Sequence, residues 1–206
     1  MSNYLLISFA FAIIVLGIFF FSFEKRRPSA RDIIPIIIIC VIASVGRLIF
    51  SFLPAIQPVT ALVIITGVCY GKQPGFITGA LCAIISNIFM GQGPWTPWQM
   101  LAWGTIGLIA GFFPEIKTKF RFFLLLLYSF IAAFLFSVIM DVWTVSTLGE
   151  SLNIQIILST YALGIIYNIG HAIGNVVFMI ILFVPFSKKL IRLKTKYGIL
   201  SGKGEL

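Results

Sequence analysis

The side chains able to do chemistry here are few, and they bind rather than break bonds. Arg47 stands inside an apolar run, and Gln57 lies just beyond its end. Asn87 precedes a neutral loop, Gly91-Gln92-Gly93-Pro94-Trp95-Thr96-Pro97-Trp98-Gln99. Asp141 and Trp143 follow a later apolar run. Gly164, Asn168, His171 and Asn175 recur at helical spacing, flanked by Tyr161 and Tyr167. Aromatic faces give contact area, and amides fix orientation, so this set suits a bulky, largely neutral ligand. Catalytic patterns are missing: there is no Walker loop, G-x-S-x-G elbow, HExxH or carboxylate cluster. These absences argue against an enzyme and against a metal site.

The elements that must position these groups are membrane helices. The chain has 206 residues, 60 % hydrophobic and 10 % charged, with mean hydropathy +1.09. Soluble domains carry about 25 % charged residues. Apolar runs near the roughly 20 residues of a span predict an all-α integral membrane protein rather than a barrel. Seven spans fit, over 4–23, 33–53, 59–70, 75–90, 100–113, 122–140 and 156–186. The first is too long and too aromatic for a cleaved leader and reads as a retained span. A polar segment, 141–155, precedes the last span, and a basic tail, 187–206, follows it.

The net charge of +9 is sorted rather than spread. With seven spans, Lys25–Arg27, Arg31, Lys72, the 117–121 cluster and the tail share one side, and Arg47 alone is left over. The excess of basic residues marks the cytoplasmic side. The expectation is a multi-pass protein of the cell membrane, N-terminus outside and C-terminus cytoplasmic, with no nucleic acid partner. The segments 51–58, 91–99 and 141–155 then face outward, as the lip of a capture site.

Each candidate has two readings. Arg47 snorkels to water, or faces a cavity where Asp141 or a ligand meets it. The Gly164–Asn175 stripe bonds neighbouring helices, or lines that cavity. Trp95 and Trp98 are interfacial anchors, or the lip of the site. The faces Gly75-Gly79-Ala83 and Gly104-Gly107-Gly111 suit close helix packing, while Cys40, Ala43 and Ser44, beside Gly46, suit a partner protein.

The runs Ala30-Arg31-Asp32-Ile33-Ile34-Pro35, Gln57-Pro58-Val59-Thr60 and Gly91 through Met100 resemble the substrate-binding subunit, or S component, of energy-coupling-factor (ECF) vitamin transporters, closest to the cobalamin type. The resemblance implies a six-helix S-component core, placed over 30–187; the extra N-terminal transmembrane helix and basic cytoplasmic turn over 1–29 depart from that pattern, and a basic cytoplasmic tail over 188–206 follows the core. It implies capture of a vitamin, cobalamin first and riboflavin or another small vitamin or precursor as the alternative. It also implies a transmembrane coupling subunit and two cytoplasmic ATPase subunits that consume ATP, with no intrinsic cofactor. The family's docking face maps onto Cys40, Ala43 and Ser44. The vitamin site is expected among Arg47, Gln57, Asn87, Trp95, Trp98, Gln99, Asp141, Trp143, Tyr161, Asn168 and His171. A structural membrane protein with a purely internal polar stripe is the reading from another class.

Overall fold

The computed structural model describes residues 3–25, 27–53, 55–113, 118–148 and 153–199. Among them lie eight α-helices: α1 Asn3–Lys25, α2 Ala30–Ile49, α3 Val59–Tyr70, α4 Lys72–Met90, α5 Thr96–Ala110, α6 Lys119–Thr147, α7 Ile154–Leu163 and α8 Ile165–Tyr197. The helices α2, α4, α6 and α8 are long and apolar enough to cross a membrane by length and composition. Arg26, Pro54, residues 114–117, Glu150 and residues 200–206 lie outside the described residues.

The bundle is built around a short apolar helix. Every residue of α3 except Val68 is buried, and α3 touches α2, α4, α5, α6 and α8. A helix apolar all round has no face to give to water, so it takes the centre. Its twelve residues reach about 18 Å, well short of a hydrocarbon core of about 30 Å. The segment that leads into it therefore packs inward. Irregular backbone at that depth survives only against protein. Accordingly, Ile56 packs against the Gly174 backbone of α8, and Ala55 faces Gly170. Ala55 holds a left-handed φ of 68°, a strained setting for a residue with a Cβ.

Glycines bring α3, α4 and α5 to backbone contact. A Cβ on Gly107 would overlap the carbonyl of Gly75, one on Gly79 the backbone of Trp103, and one on Gly67 the carbonyl of Gly107. The small faces of α4 and α5 are thus internal packing surfaces. Gly71, at φ 96°, turns the chain between α3 and α4 in a single residue. Across the seam, Tyr128 of α6 donates to the Ile106 carbonyl at 2.6 Å.

The two ends differ in charge. Chain direction places Lys25, Arg27, Arg31, Lys72, Lys119, Arg121 and the lysines of late α8 at one end, the basic end. The described residues 50–53, 55–58, 91–95, 148 and 153 share the other, the loop end.

Three features differ from the sequence reading. The face expected to dock a partner is turned inward: Cys40 and Ala43 are 0 % exposed and Ser44 2 %, with Cys40 Sγ 3.5 Å from the Thr78 carbonyl of α4. Small residues let α2 approach α4, and the exposed face of α2 is instead Ile34, Ile37, Ile38, Val41, Val45 and Ile49. Second, α6 runs on through Thr147, so Asp141 and Trp143 are helical. Third, the last expected span is two helices meeting at Gly164, and α8 continues without a break past 187 to Tyr197. Lys194 of that extension donates to the Cys69 carbonyl at the end of α3, at 3.1 Å.

The Gly75–Gly107 contact gives a test. Gly107→Ala should lower the thermal unfolding temperature in detergent, by an amount matching about 1–3 kcal/mol of overpacking. Gly17→Ala, where a Cβ meets nothing within 4 Å, should leave it unchanged or slightly raised. Equal behaviour of the two variants would refute backbone contact as the organising seam.

Candidate functional site

Arg47 lies in the last turn of α2, where the loop-end segments converge. Its Nε donates to Gln57 Oε1 at 3.2 Å. Its Nη1 donates to Ser86 Oγ at 2.6 Å and to Asn87 Oδ1 at 2.8 Å. The guanidinium carbon sits 5.1 Å from the centroid of the Trp103 ring, within cation–π range. Three of the five guanidinium N–H groups are used in this way; no hydrogen bond among the described residues reaches Nη2.

Asn87 passes the network on. Its Nδ2 donates to Gln99 Oε1 at 2.7 Å and to Thr96 Oγ1 at 3.1 Å. Thr96 in turn donates to Gln92 Oε1 at 3.0 Å, and Gln92 Nε2 closes back on the Ile84 carbonyl at 3.0 Å. Gly91, at φ 107°, supplies the turn that starts this loop. Pro97 sits in the first turn of α5, where its missing N–H costs nothing. The aromatic loop is therefore tied to α4 and α5 by its amides.

Trp103 connects this cluster to a second one. Its Nε1 donates to Thr60 Oγ1 at 3.2 Å, and the same hydroxyl lies 3.2 Å from His171 Nε2. With one acceptor position taken by the indole, the Thr60 hydrogen is free to donate to the imidazole. The His171 ring stands edge-on to Phe136 at 5.4 Å and 88°, and Phe136 contacts Trp103 at 5.0 Å. The result is a polar and aromatic wall contributed by α2, α3, α4, α5, α6 and α8. It offers one cation, several amides, hydroxyls and an imidazole. Groups of these kinds can hydrogen-bond and stack.

Of the expected residues, Arg47, Gln57, Asn87 and Gln99 come together directly, and His171 joins through Thr60 and Trp103. Asn168 and Asp141 form a separate chain: Asn168 Nδ2 donates to Ser137 Oγ at 2.9 Å, and Ser137 Oγ donates to Asp141 Oδ2 at 3.2 Å. Arg47 and Asp141 do not pair. Trp95 is partly exposed, with its ring over Gly93. Trp98 is buried in the seam between α1, α5 and α6. Trp143 packs, partly buried, against the core, and Tyr161 sits half-buried on α7. Asn175 lies deeper and donates to the Ser129 carbonyl at 3.2 Å. Thr60, Ser86, Thr96 and Trp103 complete the wall. The signal for Trp103 was its spacing: Thr96, Gln99 and Trp103 are three and four apart, so they share one face of α5, whereas Trp98 falls on another.

Asn87 is the branch point. Asn87→Leu keeps its size but leaves Arg47 Nη1 and Gln99 Oε1 each short of a partner. Each loss costs about 1–3 kcal/mol, so the unfolding temperature in detergent should fall by several degrees. Gln92→Ala, on the exposed side of the loop, should shift it far less. A neutral Asn87→Leu would show that water replaces these bonds freely.

The family model described as "ECF-type riboflavin transporter, S component" matches residues 36–192, well over half of the chain. Among curated relatives, UPF0397 proteins of Aliivibrio salmonicida and Aliivibrio fischeri are each 32% identical over 98 residues, 45% of this chain and 52% of the relative. A UPF0397 protein of Vibrio atlanticus is 29% identical over 98 residues, 45% of this chain and 53% of its own. The chain spans about half the length of the curated relatives it matches. No solved structure matches it.

Proposed function

The chain belongs to the ECF-type riboflavin transporter S component family, and on that premise we propose that it captures a vitamin at its loop end for an ATP-driven importer. The family is a transporter's binding subunit and not an enzyme. The observation that carries the reading is the Arg47 network, which gathers α2, the 50–58 loop, α4 and α5 around one guanidinium and continues through Trp103 to His171.

Riboflavin is the leading cargo. The family's description favours it. A planar heteroaromatic ring needs donors and acceptors along its edge and an aromatic face beside it, and the wall offers both. Cobalamin is the second reading, carried by the aromatic loop Gly91–Gln99, whose sequence resembles the cobalamin-type members. Asn168, Asp141, Trp143, Tyr161 and Trp95 belong to the site in either reading as the outer rim that a larger cargo would reach.

The partners follow from the family: a transmembrane coupling subunit and two cytoplasmic ATPase subunits, with ATP consumed there. The sorting of basic residues to one end supports a plasma-membrane orientation with that end, including late α8, in the cytoplasm and the N-terminus outside. The coupling subunit would meet α2 on its exposed isoleucine and valine face, because Cys40, Ala43 and Ser44 are occupied by α4.

The test is retention of cargo. Detergent-purified protein is incubated with riboflavin or with cobalamin, desalted, and read by its visible absorption. The expected result is a flavin band near one equivalent per chain. Arg47→Met and Gln99→Ala should each weaken binding about tenfold or more, equivalent to about 1.4 kcal/mol, while the folded fraction persists. A corrinoid band in its place would move the cargo to cobalamin. Retention of neither by folded protein would end the capture reading for both vitamins.

A further inference from the structure

Arg47 and Asp141 do not meet, and each sets the direction of the hydrogen bonds around it. A guanidinium only donates. Gln57 and Asn87 therefore turn their amide oxygens to Arg47. Asn87 is left with its NH2 group, which it gives to Gln99 Oε1 and Thr96 Oγ1. Both glutamines thus spend an oxygen on the network and keep a nitrogen. Gln57 Nε2, Gln99 Nε2 and Arg47 Nη2 make no hydrogen bond among the described residues, and all three remain accessible. The side of the site built by α2, α4 and α5 has donors to spare.

The other side has the opposite polarity. A carboxylate only accepts. Ser137 therefore gives its hydrogen to Asp141 Oδ2 and takes one from Asn168 Nδ2. Asn168 spends its nitrogen and keeps its oxygen. Asn168 Oδ1 and Asp141 Oδ1 have no partner among the described residues, and both remain accessible. The side built by α6 and α8 has acceptors to spare.

Aromatic rings join the two sides. The Arg47 guanidinium lies 5.1 Å from the Trp103 ring. Trp103 adjoins Phe136 at 5.0 Å, and Phe136 adjoins His171 at 5.4 Å. On α8, Asn168 is one turn nearer the loop end than His171 and shares its face. On α6, Asp141 lies one turn beyond Ser137 toward the same end. Spare donors therefore stand beyond one edge of these rings and spare acceptors beyond the other. An occupant satisfied on both sides carries acceptors along one edge and hydrogen donors at the other. A planar ring edged with carbonyls and ring nitrogens, bearing a chain of hydroxyl groups, is divided in that way. Riboflavin has this build.

We infer that the site is polarised and that it fixes the orientation of its cargo. The carbonyl edge of the ring takes hydrogens from Arg47, Gln57 and Gln99, and the hydroxyl chain gives hydrogens to Asn168 and Asp141. Asp141 is then a specificity residue that reads the chain and not the ring. The inference rests on the riboflavin reading above and adds to it which end of the molecule each side holds.

The experiment is a fluorescence titration of the detergent-purified full chain with two flavins. One is riboflavin, and the other is lumiflavin, which carries a methyl group in place of the hydroxyl chain. The wild type should bind riboflavin more tightly than lumiflavin by about tenfold or more. Asp141→Ala should weaken riboflavin until that ratio is close to one. Gln99→Glu keeps the shape but puts an oxygen where the spare donor stands. It should weaken both flavins alike, by about fivefold or more, and so preserve the ratio. Thermal unfolding follows the folded fraction of each variant, and Asn168→Ala gives the same reading should Asp141→Ala fail to fold. Equal binding of the two flavins by the wild type overturns the inference and leaves the capture reading in place. So does a wild-type ratio in Asp141→Ala or Asn168→Ala, or loss of the ratio in Gln99→Glu. Folded wild type that binds neither flavin ends the riboflavin reading, and this inference with it.

Discussion

A guanidinium inside an apolar bundle must be supplied with acceptors, and much of the loop end is arranged to supply them. Arg47 takes oxygens from Gln57, Ser86 and Asn87 and rests beside the Trp103 ring. None of these is a carboxylate. The charge is thus solvated by dipoles and a ring face rather than by an opposite charge. Asp141 is kept away, bonded to Ser137 on its own helix.

That arrangement depends on backbone packing further down. Ser86 and Asn87 are presented by α4, and Gln99 and Trp103 by α5. The two helices meet where Gly75 faces Gly107 and Gly79 faces Trp103. Any side chain at those glycines would separate the helices and open the hydrogen bonds above. Gln57 is brought in by another route. The short α3 draws its leading loop inward until Ile56 rests on Gly174, and Ala55 takes a left-handed conformation to make that turn. Strain at Ala55 and close packing at Gly174 thus lie on the path that aims Gln57 at Arg47.

The periphery is looser and obeys different constraints. Helix α1 is fixed by a hydrogen bond and a ring stack at one end, and toward the other a cavity lies between it, α5 and α6. Helix α7 buries none of its residues. Late α8 leaves the apolar region, yet stays helical through its lysines, anchored by Lys194 on the carbonyl end of α3. Cations near a helix C-terminus are favoured by the exposed carbonyls there, and this bond satisfies one of them.

Composition was enough to read the helical class and the membrane setting, and charge sorting the grouping of the described basic residues at one end. These are properties of transfer between water and hydrocarbon, which each residue carries whatever its neighbours. The stripe Asn168–His171–Asn175 was legible for the same kind of reason, because helical spacing alone puts the three on one face, and all three are buried. The internal use of Gly75, Gly79, Gly104 and Gly107 also followed from spacing. What the sequence left open was every choice between two faces or two partners. Cys40, Ala43 and Ser44 were as fit for a partner protein as for α4, since a small residue permits close approach without naming the helix that approaches. Arg47 had Asp141 and several amides within plausible reach. Trp98 was fit for an interfacial anchor or for the lip of a site, and it lies buried beside α1 and α6. Those alternatives differ only in helix rotation and separation, which are set by the contacts of all the helices together. Only the tertiary structure could decide them.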